Sequence, residues 1–151
     1  MNRNYSKITT ETTGQTEIIG EKLGAALKTG CVIALFGQVG AGKTAFTRGL
    51  ARGLDCAERV TSPTFSIVNE YHGRLKICHF DMYRITGADE LYDIGWEEYI
   101  SSGAVCVVEW SENIENILPD NAIRVKITPV SENERIIEIS GTDMDFSGSL
   151  A

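Results

Sequence analysis

The sequence predicts an α/β domain in which a mostly parallel central sheet is covered on both faces by helices and extended by antiparallel hairpins. Three observations lead there. The glycine-bounded apolar run "CVIALF" (31–36) is followed at once by the glycine-rich "GQVGAGKT" (37–44) and the helical pattern of "KTAFTRGLARGL". A second apolar strand, "AVCVVEW", ends on an acid and an aromatic. Near the C-terminus "AIRVKITPV" and "RIIEIS" alternate like hairpin strands around the turn "SENE". Strands alternating with helices imply parallel pairing, and a strand that is apolar throughout must be covered on both sides.

Element by element, Lys7 to Thr10 reads as a short edge strand. In "TTGQTEIIGEKLGAALKTG", Ile19, Leu23 and Leu27 recur at a spacing of four, which predicts a helix with Thr12 or Thr13 as its N-cap and Gly30 as its stop. Phe46, Leu50 and Leu54 repeat that spacing after the glycine loop. "TFSIVNEYHGRLKICHF" reads as a strand, a turn at His72-Gly73 and a returning strand. "GADELYDIGWEEYIS" carries a helical pattern weakened by Gly95. The final "GTDMDFSGSLA" (141–151) is expected to fray. With 151 residues and 42% apolar side chains the chain suits one domain with one core, spanning 1–151.

Composition narrows the function classes. No apolar run approaches the ~18 to 20 residues needed to span a bilayer, and "MNRNYSKITTETT" has no apolar stretch resembling an export signal, so a cytoplasmic protein without a membrane role is expected. Cys31, Cys56, Cys78 and Cys106 are widely spaced and fit neither a metal-binding C-x-x-C pattern nor a secreted disulfide framework; buried free thiols are expected. Basic residues are outnumbered 14 to 21, for a net charge of −7. Unaided binding to a phosphate backbone draws on clustered Lys and Arg, so strong independent nucleic-acid binding is not expected.

The glycine loop carries the chemistry. Gly37, four residues, Gly42, Lys43 and Thr44 match G-x-x-x-x-G-K-[ST]. Glycines allow successive backbone N–H groups to converge on phosphate oxygens above the positive end of the following helix. The cradle would comprise Gly37, Gln38, Val39, Gly40, Ala41, Gly42, Lys43, Thr44 and Ala45. Lys43 would bridge the β- and γ-phosphates of ATP, and the Thr44 hydroxyl would ligate Mg²⁺. The fold is therefore P-loop NTPase-like, with three layers.

Such a loop also needs a carboxylate on a neighbouring strand, and two candidates end apolar strands here: Glu109 after "AVCVV" and Asp81 after "LKICHF". In open α/β sheets the strand ends carry the site, although either acid could be an ordinary polar residue at a strand exit. His79 faces the same way as Asp81 on a strand and reads first as a satisfied structural histidine. Arg84 could pair with a phosphate or a carboxylate. Thr61, Ser62 and Thr64 surround Pro63 where many P-loop proteins sense the γ-phosphate; a plain proline turn is the alternative. Trp110 is a core aromatic or a wall near the nucleotide. Asp89, Glu90, Asp93, Glu97 and Glu98 form an acidic helix, either a solvated face or a docking face for a basic partner.

"GQVGAGKTAFTRGLARGL", "VTSPTFSIVNEY", "HFDMYRI", "DELYDIGWEEYI" and "VEWSENI" occur in the order and approximate spacing of the bacterial tRNA threonylcarbamoyladenosine biosynthesis ATPases, the TsaE (YjeE) family, and over residues 7 to 140 the chain resembles that family. The resemblance implies a small ATPase, binding ATP or ADP with Mg²⁺, that docks on the TsaD and TsaB proteins. There it supports installation of threonylcarbamoyl on adenosine 37 of tRNAs reading ANN codons, touching tRNA only through those partners. It further implies phosphate contacts from Gly37, Gly40, Gly42, Lys43 and Thr44, and a metal site at Thr44 and Glu109. Thr64 would fall in a switch-like segment, Asp81 would match an essential aspartate near the γ-phosphate, and Trp110 would be the aromatic after the metal-site acid; Lys43, Asp81 and Glu109 become the catalytic candidates. Gln38-Val39 stand where the family often has an acid and leucine.

Other functions of such a loop leave traces of their own. A small-molecule kinase usually closes an arginine-bearing lid, and there is no arginine cluster beyond Arg48 and Arg52. A GTP switch needs an N-K-x-D segment, which is absent. A nucleotide-binding subunit without hydrolysis remains open on sequence alone.

Overall fold

The computed structural model describes residues 4–38, 40–61, 68–83, 85 and 88–150. Their framework is a seven-stranded sheet in the order β1-β7-β6-β2-β5-β4-β3. The strands are β1 (Asn4–Thr10), β2 (Cys31–Phe36), β3 (Val68–His72), β4 (Lys76–Asp81), β5 (Val105–Glu109), β6 (Ile123–Pro129) and β7 (Arg135–Thr142). β2 pairs in parallel with β5 and β6, and β4 in parallel with β5. The β3–β4, β6–β7 and β1–β7 pairs are antiparallel. The expected parallel centre with hairpin additions is what forms.

The central strands are apolar on both faces because both are covered. Ile33 and Leu35 of β2 and Val105 and Val107 of β5 pack with Ile19, Leu23, Phe46 and Leu50, from α1 (Thr13–Ala26) and α2 (Lys43–Gly53). Val32, Ala34, Cys106 and Val108 point the other way. They meet Leu91, Trp96 and Ile114, from α3 (Ala88–Asp93), α4 (Trp96–Ser101) and the 3-10 segment Ser111–Ile117. The period of two along each strand thus divides one chain into two cores and three layers.

Helix ends follow local chemistry. Thr12 is the N-cap of α1, its hydroxyl accepting the Gln15 N–H at 3.1 Å. The helix stops at Ala26 rather than at Gly30, and Arg74 donates to the terminal carbonyls of Leu27 and Gly24 at 2.6 and 3.0 Å. Gly95, with φ of 81°, divides the acidic pattern into α3 and α4. Within the segment expected to fray from residue 141, β7 continues to Thr142, and Phe146 is buried in the core with its N–H bonded to Ser6 Oγ at 2.9 Å. A lone aromatic among polar residues was too weak a periodic signal to reveal this. Cys78 and Cys106 are buried, whereas Cys31 and Cys56 are half-buried, and none forms a disulfide. Among the described residues no helix is long and apolar enough to cross a membrane.

Candidate functional site

The carboxyl ends of β2, β4 and β5 meet at one edge of the sheet. β2 runs directly into the glycine loop, and Asp81 is the register partner of Glu109 across the β4–β5 pair. Two strand-final acids far apart in sequence therefore stand side by side next to the loop. A cleft of about 430 Å³ opens there, lined by Gly40, Gly42, Lys43, Thr44, Ala45, Asp81, Glu109 and Trp110 among others.

The loop glycines Gly37, Gly40 and Gly42 all take positive φ, which favours glycine. Gly37 has φ of 148°, and a Cβ there would lie 2.6 Å from the Ile127 carbonyl oxygen. Gly42 has φ of 106° and forms the left-handed N-cap of α2. Between them the Ala41 N–H donates to the Gln38 carbonyl at 3.0 Å. The first glycine is held at both ends: its N–H donates to Glu112 Oε2 at 3.2 Å, and its carbonyl accepts from Lys43 Nζ at 2.7 Å.

Lys43 is buried, with its ammonium 4.1 Å from the centroid of the Trp110 ring. Burial holds its pKa below the usual lysine value, and the carboxylates of Glu109, Glu112 and Asp81 pull in the opposite direction. Trp110 is partly buried and does both: it lines the cleft and packs against the second core. Its backbone is left-handed at φ of 60°, a conformation that costs a bulky residue free energy and is held here by the turn into the 3-10 segment. Tyr83 packs on its ring at 5.0 Å between centroids.

Asp81 is partly exposed at the cleft, with Oδ1 accepting the Tyr83 N–H at 2.9 Å. Glu109 is buried, and its Oε2 lies 2.7 Å from His79 Nε2. His79, read from sequence as a satisfied structural residue, is half satisfied, since its buried Nδ1 has no partner among the described residues. Asn113 donates to the carbonyl of Met82 at 2.7 Å and so ties the segment after β4 to the segment after β5.

The structure brings together Gly40, Gly42, Lys43, Thr44, Ala45, Asp81, Glu109 and Trp110 around the cleft; Ala41 is buried, and Gly37 and the exposed Gln38 line a separate cavity instead. Val39, Ser62, Thr64 and Arg84 lie outside the described residues. Sequence reasoning missed Thr13, Thr16, Asn133 and Arg135, which line the same cleft. Nothing local marks them, because they reach it through the packing of α1 and the β6–β7 turn. Arg48 and Arg52 face away, bonded to Glu17 and Glu21 of α1. Among the described residues no three His, Cys, Asp or Glu side chains cluster as a metal site.

The family model described as "Threonylcarbamoyl adenosine biosynthesis protein TsaE" matches residues 10–137. The chain is 42% identical over 124 residues to the tRNA threonylcarbamoyladenosine biosynthesis protein TsaE of Bacillus subtilis, covering 82% of this chain and 77% of that protein. It is 38% identical over 121 residues to the protein of that name from Treponema pallidum, covering 80% and 90% respectively. The crystal structure of YdiB from Bacillus subtilis superposes with a TM-score of 0.74 at 35% identity, covering 93% of this chain and 87% of that one.

Proposed function

The chain belongs to the threonylcarbamoyl adenosine biosynthesis protein TsaE family, and from that premise we propose that it is an ATPase of tRNA threonylcarbamoyladenosine formation. In this reading it binds ATP with Mg²⁺ in the cytoplasm and hydrolyses it in support of TsaD and TsaB, which hold the tRNA. The observation that carries the reading is the convergence of Lys43, Asp81 and Glu109 on one cleft beside the glycine loop at the start of α2.

The donor set suits magnesium. Thr44 and Glu109 offer a hydroxyl and a carboxylate in the same cleft, hard oxygen ligands of the kind Mg²⁺ takes alongside phosphate and water, and no larger acid cluster is needed. Bound there, the ion would neutralise charge on the phosphates and polarise a phosphoryl oxygen. The remaining work falls to the chain. Loop N–H groups and the α2 N-terminus bind the phosphates. Lys43 exchanges its bond to the Gly37 carbonyl for phosphate oxygens, Asp81 orients the attacking water, and His79 holds Glu109 in place. Thr64 belongs to the segment that senses the γ-phosphate.

The pairing of Arg48 and Arg52 with α1 supports hydrolysis over phosphoryl transfer to a small molecule, since those arginines do not face the transferred group. The net charge of −7 supports indirect contact with tRNA. Phosphate release from ATP and GTP, alone and with TsaD and TsaB, tests the proposal. Hydrolysis confined to ATP and raised by the partners is expected. ATP binding with no phosphate released in any mixture would make the chain a nucleotide-binding subunit instead.

A further inference from the structure

Arg135 opens β7 and has no place in the glycine-loop pattern, yet its guanidinium is bonded to that loop. Nε donates to the Ala41 carbonyl at 2.8 Å, and Nη2 to the Gly40 carbonyl at 3.1 Å. On its other side Nη1 donates to the carbonyls of Ser131, Glu132 and Glu134, at 2.8, 3.2 and 2.9 Å, in the turn between β6 and β7. One planar cation therefore joins the loop to a hairpin whose strands are fixed in the sheet.

A trans peptide points its C=O and N–H in opposite directions. Fixing the carbonyls of Gly40 and Ala41 on Arg135 therefore aims the N–H of Gly42 away from it, while the Ala41 N–H is held on the Gln38 carbonyl at 3.0 Å. The same bonds withdraw two carbonyl oxygens, the negative ends of their peptides, from any anion in the cleft. We propose that Arg135 is a positioning residue that orients the peptide planes of the glycine loop for phosphate before nucleotide arrives. The inference rests on reading that loop as a nucleotide cradle. Glycine-rich backbone is otherwise free to sample many orientations, and ordering it in advance lowers the cost of binding. The role requires arginine, since a lysine ammonium carries the charge but cannot grip two segments through one rigid plane.

The test compares wild type with Arg135→Lys and Arg135→Gln in the full chain, by amide hydrogen exchange of a peptide covering residues 37–45 without nucleotide, and by ATP affinity and turnover. Both variants should exchange faster in that segment and bind ATP about tenfold more weakly, with kcat at saturating ATP within about twofold. Lysine should not rescue. Wild-type exchange and affinity in either variant would overturn the proposal, and so would loss of folding in both, which would assign Arg135 to the scaffold. If wild type itself fails to bind ATP, the nucleotide reading falls, while the exchange comparison still decides whether Arg135 orders the loop.

Discussion

His79 and Glu109 are hydrogen-bonded across neighbouring parallel strands, Nε2 to Oε2 at 2.7 Å, with the imidazole wholly buried. The proton suits Nε2, because a buried lone pair on Nδ1, which has no partner among the described residues, costs less than a buried N–H without an acceptor. A side chain that holds one oxygen of a carboxylate fixes where the other can reach, and Glu109 is the carboxylate proposed to bind Mg²⁺. Replacing such a partner commonly costs about 10- to 100-fold in metal affinity or activity. His79→Ala should lower ATP turnover within that range and raise the Mg²⁺ concentration needed for half-maximal rate, with nucleotide affinity within about threefold of wild type. Phosphate-release assays across a magnesium titration check this, and a wild-type curve would remove His79 from the site.

Lys43 carries a different expectation, because its ammonium would bind the ground state as well as the transition state. It is buried beside Trp110 with its charge partly balanced by carboxylates, so a triphosphate bound as proposed would meet a cation already largely withdrawn from water. Removing one partner of such a desolvated pair costs several kcal/mol. Lys43→Met should weaken ATP binding about a hundredfold by titration calorimetry while preserving the fold by circular dichroism.

Asp81 and Glu109 should divide binding from chemistry in the opposite sense. Asp81→Asn and Glu109→Gln keep the shape of each side chain at adjacent register positions but remove its charge. Losing an interaction used mainly in the transition state lowers kcat with little change in affinity. A fall in turnover of about 10²- to 10³-fold, with ATP Kd within about threefold, is the expected pattern in single-turnover and binding assays. Undiminished turnover in either variant would take that residue out of the mechanism.

Much of this site was legible because its parts are local. The glycine loop announces itself by spacing, and Asp81 and Glu109 by ending apolar strands. What the sequence could not disclose is produced by pairing. The register that sets Asp81 beside Glu109 depends on β4 and β5 choosing each other, and Arg135 reaches the loop only because β6 pairs with β2. His79 looked ordinary because its partner lies on another strand. Phe146 was hidden for the same reason: the surface it covers is built by β1 and β7, from opposite ends of the chain.

Cys31 offers a check on burial independent of nucleotide. Its thiol is pushed up to about 11 from the usual 9.0 by desolvation. A raised folded pKa means that stability from keeping this thiol neutral is present below pH 9.0 and is lost as pH climbs toward 11. At pH 8 the thiolate fraction should fall about a hundredfold relative to an unperturbed cysteine, since only the thiolate attacks. Iodoacetamide labelling followed by peptide mass spectrometry should show Cys31 reacting at least tenfold more slowly in the native than in the denatured protein.

The helix that begins at Lys43 is placed by glycines elsewhere. α1 and α2 touch backbone to backbone: a methyl group at Gly49 would fall on the Glu17 carbonyl oxygen, and one at Gly20 on that of Phe46. No rotamer change relieves a clash with backbone, so the helices must separate, and the cost is that of overpacking, about 1–3 kcal/mol. Gly49→Ala should therefore lower Tm by about 2–12 °C in a chain of this size. It should also weaken ATP binding, because moving α2 moves the loop. Gly14→Ala is the control: it lies in the first turn of α1 with only Thr12 Oγ1 nearby, at 3.8 Å. Alanine is favoured over glycine in a helix by up to about 1 kcal/mol, so Tm should hold or rise there. A Gly49→Ala protein as stable as wild type in thermal melts would mean that the two helices are not held at this distance in solution.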